Sequence, residues 1–107
     1  MYNYPFTLIR VIDGDTIQGA VDLGFNMQYT TTFRLFGINA PEMSTGIPGA
    51  EAKTFLSFLL ESGGPLTVDT LKDKTGKYGR YLGIFKNAEG KNINDLMLKG
   101  GHAIVYK

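Results

Sequence analysis

Apolar residues recur along the first third of the chain with the short period of β-strands. Phe6 to Ile12 reads as a strand and Asp13-Gly14-Asp15 as a tight turn. Thr16, Ile17, Ala20 and Val21 then form the returning strand of a hairpin. Asp22 to Asn26 makes a second connection. Met27 to Phe36, rich in Thr, Tyr and Phe, makes a third strand. After Gly46-Ile47-Pro48-Gly49 the period lengthens. Ala52, Phe55, Leu56, Leu59 and Leu60 fall on one face at helical spacing, which predicts a helix from about Gly49 to Glu61. Pro48 suits a helix start, and Gly63-Gly64-Pro65 suits a helix end. Leu66 to Leu71 returns to strand alternation, Lys72 to Gly79 is a polar loop, and Arg80 to Lys86 is a fifth strand. A turn at Asn87 to Gly90 leads to Asn92 and Asp95, which resemble the capping pair of a short helix from Ile93 to Lys99. Gly100-Gly101 closes that helix, and His102 to Tyr106 runs on extended.

Five main strands with a helix after the third is the order of a five-stranded Greek-key barrel of the oligonucleotide-binding (OB) type. The expected class is therefore mainly β with two helices, an α+β arrangement. A chain of 107 residues is expected to form one domain, residues 1–107. With 43% hydrophobic and 20% charged residues, it should pack as a globule rather than stay disordered. It has no Cys, which excludes a disulfide framework, a zinc–thiolate site and a thiol nucleophile. No apolar run approaches the ~20 residues that cross a bilayer. The opening Met1-Tyr2-Asn3-Tyr4-Pro5 lacks the basic and apolar regions of a secretory signal. These features lead us to expect a monomer with no membrane partner and no export signal, cytoplasmic if anything.

The net charge of +1 says little about partners, but its distribution says more. Residues 1–61 hold three basic and six acidic residues, whereas residues 62–107 hold eight basic and four acidic. An acidic half able to hold a cation precedes a basic half able to meet phosphate.

Three separated segments carry candidate chemistry. Asp13-Gly14-Asp15 places two carboxylates around a glycine. Ordinary turn chemistry accounts for such a pair taken alone, while a hard cation such as Ca²⁺ would use Asp15. In the third strand Arg34 points away from Phe33 and Leu35, so its head group needs a partner. A rim salt bridge is the plain alternative. The strand breaks at Gly37, and Asn39-Ala40-Pro41-Glu42 follows as a loop stiffened by Pro41. Glu42 on such a loop, beside a metal, could aim a water at phosphorus. In Lys77-Tyr78-Gly79-Arg80 the arginine suits two-pronged phosphate contact better than a lysine would. A decorated surface loop is the alternative for that segment.

Taken in order, these segments make the chain resemble the staphylococcal nuclease (thermonuclease-like) family. The resemblance runs from Phe6 to about Tyr106. It includes Ile12-Asp13-Gly14-Asp15-Thr16, Phe33-Arg34-Leu35 with Ala40-Pro41-Glu42, Gly49-Ala50-Glu51-Ala52, Lys77-Tyr78-Gly79-Arg80, and Asn94 with Gly101-His102-Ala103. It implies a metal-dependent nuclease that cleaves DNA or RNA with little sequence specificity and leaves a 3′-phosphate. Asp15 would ligate Ca²⁺, with Asn39 and the Ala40 carbonyl as further ligands. Glu42 would be the general base or water-orienting group. Arg34 and Arg80 would bind phosphate and stabilise the transition state, with Tyr78 and Lys77 on the substrate.

Two departures stand out. Asn39 replaces the family's usual second carboxylate, which removes one charge from the cation site. The family's further C-terminal helix, which carries another substrate-side tyrosine, has no counterpart up to Lys107, and Tyr106 or His102 could only partly stand in. His102, the single histidine, is expected to be structural because Glu42 already serves as base. The alternative function is a catalytically silent OB barrel that binds nucleic acid by stacking and basic grooves.

Overall fold

The structure, a computed structural model, describes residues 2–72 and 81–106. Three long strands open the fold as an antiparallel meander: β1 (Tyr2–Asp13), β2 (Thr16–Gly24) and β3 (Met27–Leu35). A short β4 (Ile38–Asn39) and a 3₁₀ turn (Met43–Thr45) lead into helix α1 (Ile47–Ser62). Then come β5 (Leu66–Lys72), β6 (Tyr81–Lys86), α2 (Ile93–Lys99) and a short β7 (Ile104–Val105).

The five long strands close into a barrel in the order β1-β2-β3-β6-β5, which is the OB arrangement expected from the order of elements. Closure depends on β1, which serves two neighbours. Its first half pairs with β5 from Tyr2↔Thr70 to Phe6↔Leu66, and its second half pairs with β2 from Phe6↔Val21 to Asp13↔Thr16. Register shifts between Leu8 and Arg10 and between Val11 and Asp13 bend the strand. β1 therefore starts at Tyr2 rather than Phe6, and it carries Pro5 opposite Thr67.

On the other side, β3 meets β6 in parallel over only Phe33 to Leu35. Asn94 of α2 reinforces this short seam. Its Nδ2 donates to the carbonyls of Phe36 (2.8 Å) and Gly83 (3.0 Å), and its Oδ1 accepts from the Phe85 N–H (3.2 Å). Asn94 is 3% exposed, so its amide satisfies backbone groups that would otherwise be buried unpaired.

The interior is built from Phe6, Phe33 and Phe85, packed edge to face with ring centroids 4.9–5.8 Å apart. Ile17, Leu35 and Val68 complete the barrel wall, and α1 adds Ala52, Leu56 and Leu60. Helix α2 contributes Ile93 and Met97, and its N-cap is the expected one, with Asn92 accepting from the Asp95 N–H at 3.1 Å. Strand alternation holds where it matters for the site, since Phe33 and Leu35 are buried while Arg34 lies on the other face. Among the described residues, no helix is long and apolar enough to cross a membrane.

Candidate active site

The candidate site forms where the β1–β2 turn meets the end of β3. Ladder pairing sets Thr16 opposite Arg34, and the Leu35 N–H donates to the Asp15 carbonyl at 2.8 Å. Gly14 sits between Asp13 and Asp15 because the turn lies hard against the helix. A Cβ added there would meet the Cβ atoms of Ala52 and Ala40 at 2.6 and 2.9 Å. Gly49 performs the same service on the helix side, where a Cβ would collide with the Glu42 carbonyl oxygen.

The two aspartates of the turn hold the two ends of the loop that follows β4. Asp15 Oδ2 accepts the Ala40 N–H at 3.0 Å, and Asp13 Oδ1 accepts the Met43 N–H at 3.0 Å. Glu42 lies between these anchors in an extended conformation (φ −74°, ψ 157°). Its backbone carbonyl accepts from the Thr45 N–H (2.9 Å) and hydroxyl (2.6 Å), which fixes the loop, while its side chain projects to the surface. Ser44 donates to Glu42 Oε2 at 3.4 Å, the long end of a hydrogen bond.

The Asp15 carboxylate is 8% exposed and therefore needs partners. It has three: the Ala40 N–H, the Thr16 hydroxyl on Oδ1 at 2.9 Å, and Arg34 Nη2 at 3.5 Å from Oδ2. Arg34, with a side chain 14% exposed, also donates from Nη2 to Asn39 Oδ1 at 3.0 Å. Its guanidinium carbon lies 4.6 Å from the ring centroid of Tyr106. Tyr106 reaches it because β7 pairs with β4 (Ile38↔Val105, Asn39↔Ile104) and the Tyr106 N–H donates to the Gly37 carbonyl at 2.9 Å.

Asp15, Arg34, Asn39 and Ala40 thus come together, and Glu42 stands on the adjoining loop. Lys77, Tyr78 and Arg80 lie outside the described residues. His102 packs against Phe55 with ring centroids 4.6 Å apart. It also borders a cavity of about 300 Å³ between the Asn39–Pro41 segment and Gly101–Ile104. The hold of Asp13 on Met43, the stacking of Tyr106 on Arg34 and the hub at Asn94 were not foreseen from the sequence. Each includes a contact between residues 30 or more positions apart, and no local pattern announces such a contact.

The side-chain oxygens of Asp15 and Asn39, which meet at Arg34, and the backbone carbonyl of Ala40 are donors of the type a hard cation takes. The set carries one formal negative charge, and both Asp15 and Asn39 share their oxygens with Arg34. Among the described residues, no three His, Cys, Asp or Glu side chains gather as a metal site. By donor type these oxygens are compatible with a hard cation, and with one carboxylate among them they would hold it weakly.

The sequence is similar to two proteins called "Uncharacterized endonuclease", one from Escherichia coli O157:H7 and one from Escherichia coli. Each is 31% identical over 100 residues, which cover 94% of this chain and 60% of the relative. The chain thus spans about 60% of the length of these relatives. A family model described as staphylococcal nuclease homologue matches residues 32–107. That span begins after the Asp13–Asp15 turn and takes in Arg34, Asn39, Ala40 and Glu42. With the barrel and this match together, the chain belongs to the staphylococcal nuclease homologue family.

Proposed function

We propose that residues 1–107 form a nuclease domain that hydrolyses phosphodiester bonds of DNA or RNA with low sequence specificity, assisted by one divalent cation. The observation that carries this reading is the double anchoring of the Glu42 loop by Asp13 and Asp15, with Arg34 in contact with the same Asp15 carboxylate. This supports in-line attack on a phosphodiester, for which a carboxylate on a fixed loop can hold the water and a guanidinium can meet the phosphate.

In this mechanism Glu42 orients a water and takes its proton as the water oxygen attacks phosphorus. The P–O5′ bond breaks, the 5′ oxygen leaves with the bonding pair and takes a proton from solvent water to become a hydroxyl, and the phosphate stays on the 3′ side. Arg34 and Arg80 neutralise charge as it grows on the phosphate oxygens. Asp15, Asn39 and the Ala40 carbonyl would hold the cation, Ca²⁺ by donor type, which supplies Lewis-acid polarisation of a phosphate oxygen when bound. Lys77 and Tyr78 contact the substrate. Hydrolysis this slow without a catalyst asks for roughly 20 kcal/mol of barrier reduction. That sum needs several groups acting on one positioned phosphate.

One observation favours the second reading, a barrel that binds without cutting. Asn39 lowers the charge available to a cation, and its amide oxygen is taken up by Arg34. A single assay separates the two. The purified protein is incubated with single-stranded DNA and with RNA across a range of Ca²⁺ concentrations, with and without chelator. Cleavage that requires cation, and that falls by ~10²–10⁴-fold in Glu42→Gln with an unchanged circular-dichroism spectrum, supports the nuclease. Retained binding with no cleavage at any Ca²⁺ level establishes the binding module instead.

A further inference from the structure

We infer that Tyr106 is a positioning residue for Arg34, and that the β4–β7 ladder exists to deliver it. The inference rests on the nuclease reading for its kinetic consequence, while its geometry stands independently. Three successive constraints converge on one guanidinium. Arg34 leaves β3 beside Asp15, Asn39 at the end of β4 receives Nη2, and Tyr106 just after β7 covers the guanidinium at 4.6 Å.

The ladder itself buries little. Ile104 and Val105 are 67% and 63% exposed, so β7 is not held there by a hydrophobic core. It is held by backbone pairing to Ile38 and Asn39 and by the Tyr106 N–H on Gly37. A two-residue strand with exposed side chains contributes little to folding. It does bring an aromatic face onto the guanidinium in contact with Asp15.

An arginine with only hydrogen bonds at Nη2 can still rotate its plane about them. Stacking fixes that plane. The contacts from Asn39 and Asp15 both fall on Nη2, so neither engages the Nε or Nη1 hydrogens. Those hydrogens meet phosphate oxygens in a fixed direction only while the guanidinium plane is held. Tyr106 therefore sets the direction of the nitrogens that Arg34 offers to phosphate.

The test uses the full chain and the variants Tyr106→Leu and Tyr106→Phe. The Leu variant removes the π-face and keeps apolar bulk, and the Phe variant keeps the face and removes the hydroxyl. On a fluorogenic DNA oligonucleotide with Ca²⁺, Tyr106→Leu is expected to lower kcat about tenfold with KM changed less than twofold. Tyr106→Phe restores kcat, and Tyr106→Leu has no further effect in an Arg34→Ala background. Arginine side-chain NMR provides a readout that needs no activity. The Arg34 Nε–Hε signal should show an upfield ring-current shift in the wild type and in Tyr106→Phe, and lose it in Tyr106→Leu.

A tenfold loss that persists in the Arg34→Ala background overturns the proposal, as does a rise in KM with kcat unchanged, which would make Tyr106 a substrate contact. Absence of the ring-current shift in the wild type overturns it as well. If the wild type cleaves nothing, the nuclease reading fails, and the NMR comparison alone still decides whether Tyr106 holds Arg34.

Discussion

Two turns close the two hairpins of the β1–β2–β3 meander, and the residues in them look alike. One reads Asp13-Gly14-Asp15 and the other Asp22-Leu23-Gly24-Phe25-Asn26. In both, an aspartate accepts a backbone N–H. The difference is how far away the donor lies. Asp22 Oδ1 accepts from Gly24, two residues on, at 2.8 Å, and the arrangement stays within the turn. Asp13 and Asp15 accept from Met43 and Ala40, 30 and 25 residues on. The glycines differ in the same way. Gly14 is required by contact, since a Cβ would strike Ala40 and Ala52, whereas Gly24 is required by its own backbone (φ 79°) with nothing within 4 Å of a Cβ. Turn chemistry builds both corners. Only the corner that lies against α1 and the Ala40–Met43 loop becomes a candidate site, because only there does the backbone of another element complete the carboxylates.

The sharpest way to break this comparison is to remove the equivalent carboxylate from each turn. Asp15→Ala takes a hydrogen-bond acceptor from the Ala40 N–H, an ion-pair partner from Arg34 and the carboxylate from the proposed cation site. Cleavage is expected to fall roughly 10³-fold, the scale of losing a main charge-stabilising group. Stability should fall by about 1–3 kcal/mol because a buried N–H is left unpaired. Asp22→Ala loses one local bond at the surface and should cost about 0.5–1 kcal/mol with cleavage unchanged. Steady-state rates and thermal melts of the two variants check the contrast. Equal losses of activity would mean that the far end of the hairpin also meets the substrate.

Asp13 sharpens the comparison within the site. Its contact is a structural anchor for the Glu42 loop, so the acceptor oxygen matters and the charge does not. Asp13→Asn keeps an oxygen for the Met43 N–H and should retain cleavage within about threefold, a difference under 1 kcal/mol. Asp13→Ala frees that end of the loop and should lower kcat about tenfold while costing about 1 kcal/mol of stability. Calcium titration followed by calorimetry decides the role. A loss of calcium affinity in Asp13→Asn would make Asp13 a ligand and end the anchoring account.

What could be read from the sequence follows the same division between local and distant. The hairpin turn, both helices, the Asn92–Asp95 cap and the outward direction of Arg34 are local consequences of period and propensity, and they were legible. The extra length of β1 was not. Pro5 argues against a strand, and only pairing with the distant β5 draws residues 2–5 into the barrel. The β4–β7 ladder is too short to show a period. In the site, the residue types at Asp15, Arg34, Asn39 and Ala40 pointed to a common chemistry, and the structure gathers those four. Their partners were hidden, because the Met43 N–H and the Tyr106 ring have no signature at the positions they serve. The contribution of Lys77, Tyr78 and Arg80 stays a matter of the proposal and its assay.

The smallest effect comes from the turn that does no chemistry, and it tests whether that turn is purely local. Phe25 is 96% exposed and has φ 54°, followed by Asn26 at φ 61°. Both central residues of this two-residue loop are left-handed, a geometry that favours Asn-Gly and penalises an aromatic by about 1–2 kcal/mol. The ring gains nothing within the chain to offset this strain. Phe25→Asn should therefore stabilise the protein by about 0.5–1 kcal/mol, a rise of a few degrees in Tm. Cleavage should not change, because the turn lies a full nine-residue strand from Thr16, about 30 Å at ~3.3 Å per residue. A lower Tm instead, with a deficit that grows with protein concentration, would show that the ring is covered in solution by a second copy. The strain would then be the cost of an interface, and the two turns would differ in what they bind rather than in whether they bind.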